Sequence, residues 1–314
     1  MKLSLVNGRG LALGVLATLG LVFSANPSIG LPSVSKTETV MEKVKRTGVL
    51  TAGTSKDAIP FAYRNREGEL VGYSVDMLKL VKQQLEKDLG RELELKLVAL
   101  APDQRIPGIK NSKVDIVCDA SSFTWKRDRE VDFTLSYGNT GTRLLVKKDS
   151  PLGSAKSLVG KRIGVLAQTT NEQAIKRVQP LAELVYVKDR NSGYNALRSG
   201  KIDALASDGI LLEGWLAASK RNNNYKIVPD RPYSREGIAC MVPENNSDFL
   251  DSVNYTLYQF MYGFVTGKTP NVQIFDRWFG PQGIIPLNRD LRSVEIETMQ
   301  LTIESRQEIP KSDF

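Results

Sequence analysis

Short apolar segments alternate with amphipathic segments along most of this 314-residue chain. Residues 48–53 have the composition of a buried strand, and a helical pattern from about Ser74 places Met77, Val81 and Leu85 on one face. The order of strand and helix then repeats, which predicts an α/β fold with largely parallel sheets covered by helices. The further predicted strands are 93–98, 114–118, 141–148, 162–166, 184–187, 204–207 and 238–242.

The alternation divides into two units, because the segment 141–148 has the pattern of a strand that crosses from one unit to the other. We therefore expect two α/β lobes, each a mixed sheet flanked by helices, joined by two hinge segments. The expected boundaries are 39–140 and 243–280 for the first lobe, 141–242 for the second, hinge crossings near 138–143 and 237–242, and a C-terminal extension of unassigned function at 281–314.

The N-terminus has the charged, apolar and small-residue regions of a secretory signal peptide. Lys2 and Arg9 precede the apolar run 11–23, which is too short for a comfortable membrane span and is followed by Ser24 and Ala25. We expect a signal peptide at 1–25, a flexible lead at 26–38, and a protein exported to the periplasm or the cell exterior. The alternative is an uncleaved N-terminal anchor.

Two cysteines, Cys118 and Cys240, follow the predicted signal peptide. In an oxidising compartment an even number of cysteines indicates a disulfide, whereas in the cytosol the same pair is more often two buried thiols. We predict a bridge between them. Closing a loop of this length stabilises a fold by about 4–5 kcal/mol in the chain-entropy description.

Composition excludes several classes of function. The chain has no histidine, which removes the commonest metal ligand and the commonest general base, and two cysteines do not make a zinc site. We expect no metal and no cofactor. The net charge of +8 is spread over short doublets such as 147–148 and 161–162, without a long basic tract, so a nucleic-acid partner is not expected.

The stretch 119–134 has the residue types of a carboxylate-binding site. A hydroxyl-rich turn with Ser122 and Thr124 leaves the predicted strand 114–118 and leads to Arg127. Hydroxyl groups, free backbone amides and one guanidinium converge there, and the planar guanidinium matches the two oxygens of a carboxylate. An ordinary polar loop with a surface arginine is the alternative.

From about residue 44 to residue 279, the chain resembles the extracytoplasmic solute-binding proteins of the polar amino acid family, the receptors of ABC importers. It is most similar to the glutamate/aspartate-binding members, which carry a cysteine at the two matching places. The resemblance implies a two-lobed type II periplasmic-binding-protein fold, a monomer, a free L-amino acid ligand and the membrane permease as partner. Its landmarks are 48–53, 59–63, 71–76, 105–107, 118–134, 141–145, 168–170, 197–204, Asp208, 238–240 and 277–279.

The resemblance also implies how the ligand backbone is held. Arg127 would bind the α-carboxylate, assisted by Ser122 and Thr124 from one lobe and by Thr169 and Thr170 from the other. Asp208, at the end of the predicted strand 204–207, would bind the α-ammonium. Helix capping is the alternative role for Asp208, Thr169 and Thr170, and for the threonines the two roles are compatible.

For the ligand side chain, the resemblance implies cationic contacts at Arg105 and Arg190, which suit glutamate or aspartate. Ser55 stands where those receptors carry arginine, and Pro102 stands where they carry a hydroxyl residue. Glutamine, or a broader set of amino acids, is therefore the alternative ligand, which Ser55, Asp103 and Gln104 could accommodate. Phe61 would line the aliphatic part of the ligand or lie in the core, and Arg190 would contact the ligand or lie exposed.

The expected function is a non-enzymatic receptor that closes on an amino acid and presents it to a permease. A small-acid dehydratase of the same fold is an alternative, and it would need a general acid or base facing the cleft; an unpaired glutamate there would support it. A sensory ectodomain is the third possibility, and an uncleaved N-terminal anchor would distinguish it.

Overall fold

Two five-stranded mixed sheets organise residues 38–219 and 223–306, which the computed structural model of the protein describes. The strands are β1 (Val49–Thr54), β2 (Asp57–Ala58), β3 (Ala62–Arg64), β4 (Leu70–Val71), β5 (Glu94–Ala99), β6 (Ile116–Val117), β7 (Asp132–Thr140), β8 (Thr142–Lys147), β9 (Arg162–Val165), β10 (Glu183–Tyr186), β11 (Ala204–Asp208), β12 (Tyr225–Val228) and β13 (Glu236–Val242). The helices are α1 (Val40–Thr47), α2 (Tyr73–Leu89), α3 (Arg105–Lys110), α4 (Trp125–Asp128), α5 (Thr170–Val178), α6 (Arg190–Arg198), α7 (Gly209–Ser219), α8 (Ser247–Val265), α9 (Thr269–Phe279) and α10 (Arg289–Glu304).

The first sheet has the strand order β5-β1-β6-β13-β7, in which β5, β1 and β6 are parallel and β13 runs antiparallel to both of its neighbours. Its largest apolar cluster joins the sheet to α2, α8 and α9 and includes Tyr73, Phe249 and Phe260. A second cluster with Ile109 and Val131 covers the other face. Both faces are buried, as expected for a sheet with parallel strands.

The second sheet repeats this plan with the order β10-β9-β11-β8-β12. Strands β10, β9 and β11 are parallel, and β8 is antiparallel to β11 and β12. Leu144 and Val146 pack on one face, while Leu145 packs on the other, because successive side chains of a strand point to opposite faces. The prediction of two α/β lobes is confirmed.

The chain crosses between the lobes twice. The first crossing, at Gly141 between β7 and β8, lies within the expected segment 138–143. A Cβ atom at Gly141 would lie 2.0 Å from the main-chain oxygen of Ser234, so the two crossing segments require glycine here. The second crossing lies between Val228 and Glu236, whereas the expected one was 237–242.

The difference arises from strand β13. The expected division assigned residues up to 242 to the second lobe, but β13 pairs with β7 in the first sheet, with Glu236 opposite Thr140. The apolar pattern of this segment specifies a buried strand. It does not specify the sheet that the strand joins, because that depends on long-range pairing.

A disulfide connects the two central strands of the first lobe. Cys118 follows β6, Cys240 lies in β13, and their Cα atoms are 4.4 Å apart. Both residues are fully buried. The predicted bridge is confirmed, and it closes a loop with a sequence separation of 122 residues.

The C-terminal segment of unassigned function contains the helix α10, which packs against α8 and β7. Met299 and Ile303 are buried in the core of the first lobe, and Arg292 forms an ion pair with Asp276 at 2.6 Å. The predicted signal peptide at 1–25, the lead up to residue 37 and residues 307–314 lie outside the described residues. Across 38–219 and 223–306, no helix has both the length and the apolar character that a membrane span requires.

Candidate functional site

Arg127 lies in the turn that follows β6 and reaches from the first lobe to the second. Thr124 is the N-cap of α4, and its hydroxyl accepts a hydrogen bond from the Arg127 backbone N–H at 3.2 Å. The guanidinium donates from Nη1 to the Ser122 carbonyl at 2.8 Å and from Nη2 to the Gln168 carbonyl, in the second lobe, at 3.0 Å. The side chain is therefore fixed across the cleft between the lobes.

Burial is the main influence on the charge of Arg127. It lowers the pKa of the guanidinium, with a smaller contribution in the same direction from Arg105, while Asp119, Glu236 and Asp208 act to raise it. Arginine nevertheless stays protonated in proteins. A half-buried cation that has lost part of its water favours an anionic partner.

Asp208 is the last residue of β11, and its side chain is buried. Its Oδ2 atom accepts a hydrogen bond from Asn171 Nδ2 at 3.1 Å, whereas Oδ1 has no hydrogen-bond partner among the described residues. Burial raises the pKa of this carboxyl, and nearby Glu236 raises it further. An unpaired buried oxygen of this kind is suited to accept a hydrogen bond from a cationic group.

The N-terminus of α5 lies between these two charged residues. Thr169 is its N-cap: the hydroxyl accepts from the Glu172 backbone N–H at 3.2 Å and donates to the Leu166 carbonyl at 2.8 Å. Thr170 is the first residue of the helix. The positive end of the helix dipole and its free N–H groups favour an anion, so capping and anion binding occur at the same place.

Arg105 does not present a free charge. Its Nη2 atom lies 2.7 Å from Asp119 Oδ2, and it also donates to Ser55 Oγ at 3.1 Å. The Ser55 hydroxyl in turn donates to Asp119 Oδ2 at 2.9 Å, and Ser121 donates to Asp119 Oδ1. All of these side chains are buried, so the cation expected for an acidic ligand is already paired with a carboxylate of the protein.

Arg190 is also paired, and its partner lies in the other lobe. Its Nη1 atom donates to Asp57 Oδ1 at 2.8 Å, and its backbone N–H donates to Asp57 Oδ2 at 3.0 Å. Arg190 begins α6 in the second lobe, while Asp57 lies in β2 of the first. Arg190 is buried and not exposed, and it joins the lobes.

Phe61 packs with other aromatic rings. Its ring centroid is 5.9 Å from that of Tyr73 and 6.0 Å from that of Phe279. The side chain is buried within the main apolar cluster of the first lobe. Phe61 was expected either to line the ligand or to lie in the core, and the contacts in the structure are those of a core residue.

The two lobes are also in direct contact through α7. A Cβ atom at Gly214 would lie 2.4 Å from the main-chain oxygen of Ile59, so the helix approaches the first lobe as closely as glycine allows. Leu211 of the same helix is buried within the apolar cluster of the first lobe. The cleft is therefore enclosed on this side.

Glu236 is a site residue that the sequence patterns did not identify. It lies at the start of β13, its Oε1 atom accepts from Ser234 Oγ at 2.6 Å, and its buried Oε2 atom has no hydrogen-bond partner within the described part of the chain. Asp57, Asp119 and Asn171 were missed as well. In 38–219 and 223–306, no group of three or more acidic or cysteine side chains is arranged to hold a metal ion.

Taken together, the cleft contains a cation from one lobe, an acid from the other, and a helix N-terminus between them. Such a site can bind a molecule that carries both a carboxylate and an ammonium group. The charges at Arg105 and Arg190 are each balanced by a carboxylate of the protein.

Several known proteins that are similar to this chain are named as amino-acid-binding proteins. The solute-binding protein named for glutamate/aspartate import from Salmonella typhimurium is 28% identical over 260 residues, covering 81% of this chain and 83% of that protein. A glutamine-binding protein from Geobacillus stearothermophilus is 30% identical over 218 residues, covering 69% and 80%. A solved structure described as an ancestral arginine-binding protein bound to glutamine superposes with a TM-score of 0.66 at 26% identity, covering 74% of this chain and 98% of that one.

The family profile for bacterial extracellular solute-binding proteins, family 3, matches residues 50–281. The matched segment contains both sheets, both crossings and the whole cleft, and the structural neighbours share the two-lobed fold. The chain is therefore a member of family 3 of the bacterial extracellular solute-binding proteins.

Proposed function

We propose that this protein is an extracytoplasmic receptor that encloses a free L-amino acid between its lobes and delivers it to the membrane permease of an ABC importer. The observation that carries the proposal is the pair Arg127 and Asp208, one from each lobe, on either side of the α5 N-terminus. Their charges are complementary to the two charged groups common to all α-amino acids.

In this proposal the α-carboxylate lies against Arg127, with Ser122, Thr124, Thr169 and Thr170 around it. The guanidinium supplies the charge, and the N-terminus of α5 supplies further hydrogen-bond donors. The α-ammonium lies at Asp208, whose Oδ1 atom is buried without a partner in the part of the chain that the structure describes.

The ligand side chain would lie near Arg105 and Arg190. The names of the relatives point to amino acids, namely glutamate, aspartate, glutamine, cystine and arginine. Closing the lobes excludes water from these contacts and strengthens each charged interaction. A dissociation constant near 1 μM, about 8 kcal/mol of binding free energy, would suit both capture and release.

Export and monomeric action belong to the same proposal. The predicted signal peptide would place the receptor in the periplasm or outside the cell, where the disulfide between Cys118 and Cys240 is stable. A membrane permease then takes the ligand from the closed receptor.

Titration calorimetry against the twenty amino acids tests this function, after bound ligand has been removed by unfolding and refolding. We expect saturable binding of at least one polar amino acid and at least a 100-fold loss for Arg127→Ala, since the paired α-carboxylate contact is lost. Arg129→Ala, at an exposed arginine of the same segment, is the matched control. Binding of none of the twenty, or equal losses in the two variants, would refute the proposal.

A small-acid dehydratase is the second candidate, and Glu236 is the observation that favours it. Its unpaired Oε2 atom, close to Asp208 and Arg127, meets the requirement for an acid or base in the cleft. Incubation with hydroxylated carboxylic acids, followed by mass spectrometry for the loss of water, tests this candidate. If none of these acids loses water and an amino acid binds tightly, the result favours the receptor function.

A further inference from the structure

A complete ion pair of the protein, Arg105 with Asp119, lies close enough to Arg127 for both members to influence the pKa of that guanidinium. Asp119 is fully buried, and both of its carboxylate oxygens are engaged: Oδ2 with Arg105 and Ser55, and Oδ1 with Ser121. A buried carboxylate with this many partners is satisfied without any ligand. The positive charge of Arg105 is therefore balanced by a carboxylate of the protein.

Arg190, the other guanidinium that the proposed function places beside the ligand side chain, is balanced in the same way. Arg190 donates twice to Asp57, once from the guanidinium and once from the backbone. The site contains three guanidinium groups and four carboxyl groups. The guanidinium groups belong to Arg105, Arg127 and Arg190, and the carboxyl groups belong to Asp57, Asp119, Asp208 and Glu236. This region has no excess of positive charge with which to bind a second ligand carboxylate.

We propose that Asp119 determines the specificity of this receptor: by neutralising Arg105, it excludes side-chain carboxylates and selects an amino acid with a carboxamide side chain, such as glutamine, over glutamate and aspartate. This inference rests on the proposed function as an amino acid receptor.

Repulsion is the physical basis of the exclusion. A ligand carboxylate that approached Arg105 would also approach the Asp119 carboxylate, which cannot turn to solvent because it is fully buried. For two such groups about 5 Å apart at an effective dielectric constant of about 20, the repulsion corresponds to roughly 250-fold in affinity, which offsets the attraction that Arg105 would exert at a similar distance. Rejecting the wrong ligand by like charge is a common source of specificity.

An uncharged oxygen does not meet this repulsion and finds donors available. The Nε atoms of Arg105 and Arg190 are buried and have no hydrogen-bond partner among residues 38–219 and 223–306. A carboxamide oxygen could accept from such a donor without adding charge. The ion pairs thus leave hydrogen-bonding capacity in place while removing the net charge.

The test measures the affinities of the protein for glutamine, glutamate, aspartate and arginine by calorimetry, in the native form and in Asp119→Asn. We expect the native protein to bind glutamine at least about 30-fold more tightly than glutamate, because the glutamate side chain would lose its water without meeting a net opposite charge. In Asp119→Asn the guanidinium charge is released, so we expect glutamate affinity to rise at least 10-fold while glutamine affinity changes less than threefold.

Asp115→Asn is the matched control. Asp115 is a buried carboxylate of the same lobe that accepts from Lys43 at 2.6 Å and from the Thr51 backbone at 2.9 Å, in a separate hydrogen-bond cluster from that of Arg105. The Asp115→Asn variant should leave the ratio of glutamine to glutamate affinity unchanged. If Asp119→Asn fails to fold, the selectivity of the native protein decides the matter.

The outcomes separate this inference from the proposed function. Tighter binding of glutamate, aspartate or arginine than of glutamine by the native protein would overturn the role of Asp119 and leave the receptor function standing. An unchanged selectivity ratio in a folded Asp119→Asn protein would overturn it too. Binding of none of the twenty amino acids would refute the proposed function itself.

Discussion

The ion pair between Asp57 and Arg190 joins the lobes, so Asp57→Asn should weaken closure without weakening either lobe. The pair is largely shielded from water, since the side chains are 10% and 3% exposed, and it makes two hydrogen bonds of 2.8 and 3.0 Å. Both residues would be solvated when the lobes separate. The interaction therefore stabilises the closed form alone.

The magnitude follows from these contacts. Asparagine keeps one acceptor oxygen but loses the charge, and it turns an N–H₂ group towards one of the two donors of Arg190. Hydrogen bonds to charged groups contribute about 1.5–3 kcal/mol each, and removing one partner of a buried ion pair costs at most about 3–5 kcal/mol. We expect the closed form to lose about 2–3 kcal/mol, which lowers ligand affinity roughly 30- to 150-fold.

Calorimetry with glutamine measures this change, because an uncharged ligand side chain does not respond directly to the altered charge at Arg190. Small-angle scattering of the ligand-free protein reports the accompanying shift towards an open form. Asp203→Asn is the control: Asp203 accepts from both the backbone and the guanidinium of Arg162, as Asp57 does from Arg190, but within the second lobe. Unchanged glutamine affinity in a folded Asp57→Asn protein, or an equal loss in Asp203→Asn, would refute this reasoning.

Two further predictions concern stability. Replacing Cys118 and Cys240 by serine should lower the free energy of unfolding in urea by about 4–5 kcal/mol, because the loop of 122 residues is then open in the unfolded chain; a loss below 1 kcal/mol would contradict this account. Asp208→Asn should abolish amino acid binding yet stabilise the empty protein at neutral pH. Burial first, and Glu236 second, raise the pKa of Asp208, so its contribution to folding is present below the ordinary carboxyl pKa and is lost as pH rises through the raised value. The advantage of the variant in urea unfolding should therefore grow as the pH rises above about 4, and a constant or shrinking advantage would show that burial does not raise the pKa of this carboxyl.

The sequence predicted the features that depend on local patterns. Strands and helices are local, so the two α/β lobes and the strand carrying Asp208 followed from apolar periodicity. Helix capping, which the residue type of Thr169 suggested, is also a local feature, and Thr169 is the N-cap of α5. The disulfide followed from the number of cysteines and the expected compartment.

The partners of the arginines were not predictable in this way. Arg190 and Asp57 are 133 residues apart in the chain, and they meet only because the two lobes come into contact. Asp119 is closer to Arg105 in sequence, but its orientation depends on how the turn after β6 packs against Ser55. A charge at a ligand-binding position indicates specificity only after its partners within the protein are known.

The contacts between the lobes make opposing contributions to closure. The pair between Asp57 and Arg190 favours closure, and so does the contact of Gly214 with Ile59. Against this, closure buries unpaired polar atoms on Asp208, Glu236 and Arg105, each of which costs about 1–3 kcal/mol when left without a hydrogen bond. A bound amino acid would satisfy the acceptor on Asp208 with its ammonium group, and a carboxamide oxygen would satisfy a guanidinium donor. Because the ligand removes these costs, the unpaired atoms make closure depend on the ligand. The ion pair between the lobes stabilises the closed form, so the ligand has to supply only a small further free energy to close them.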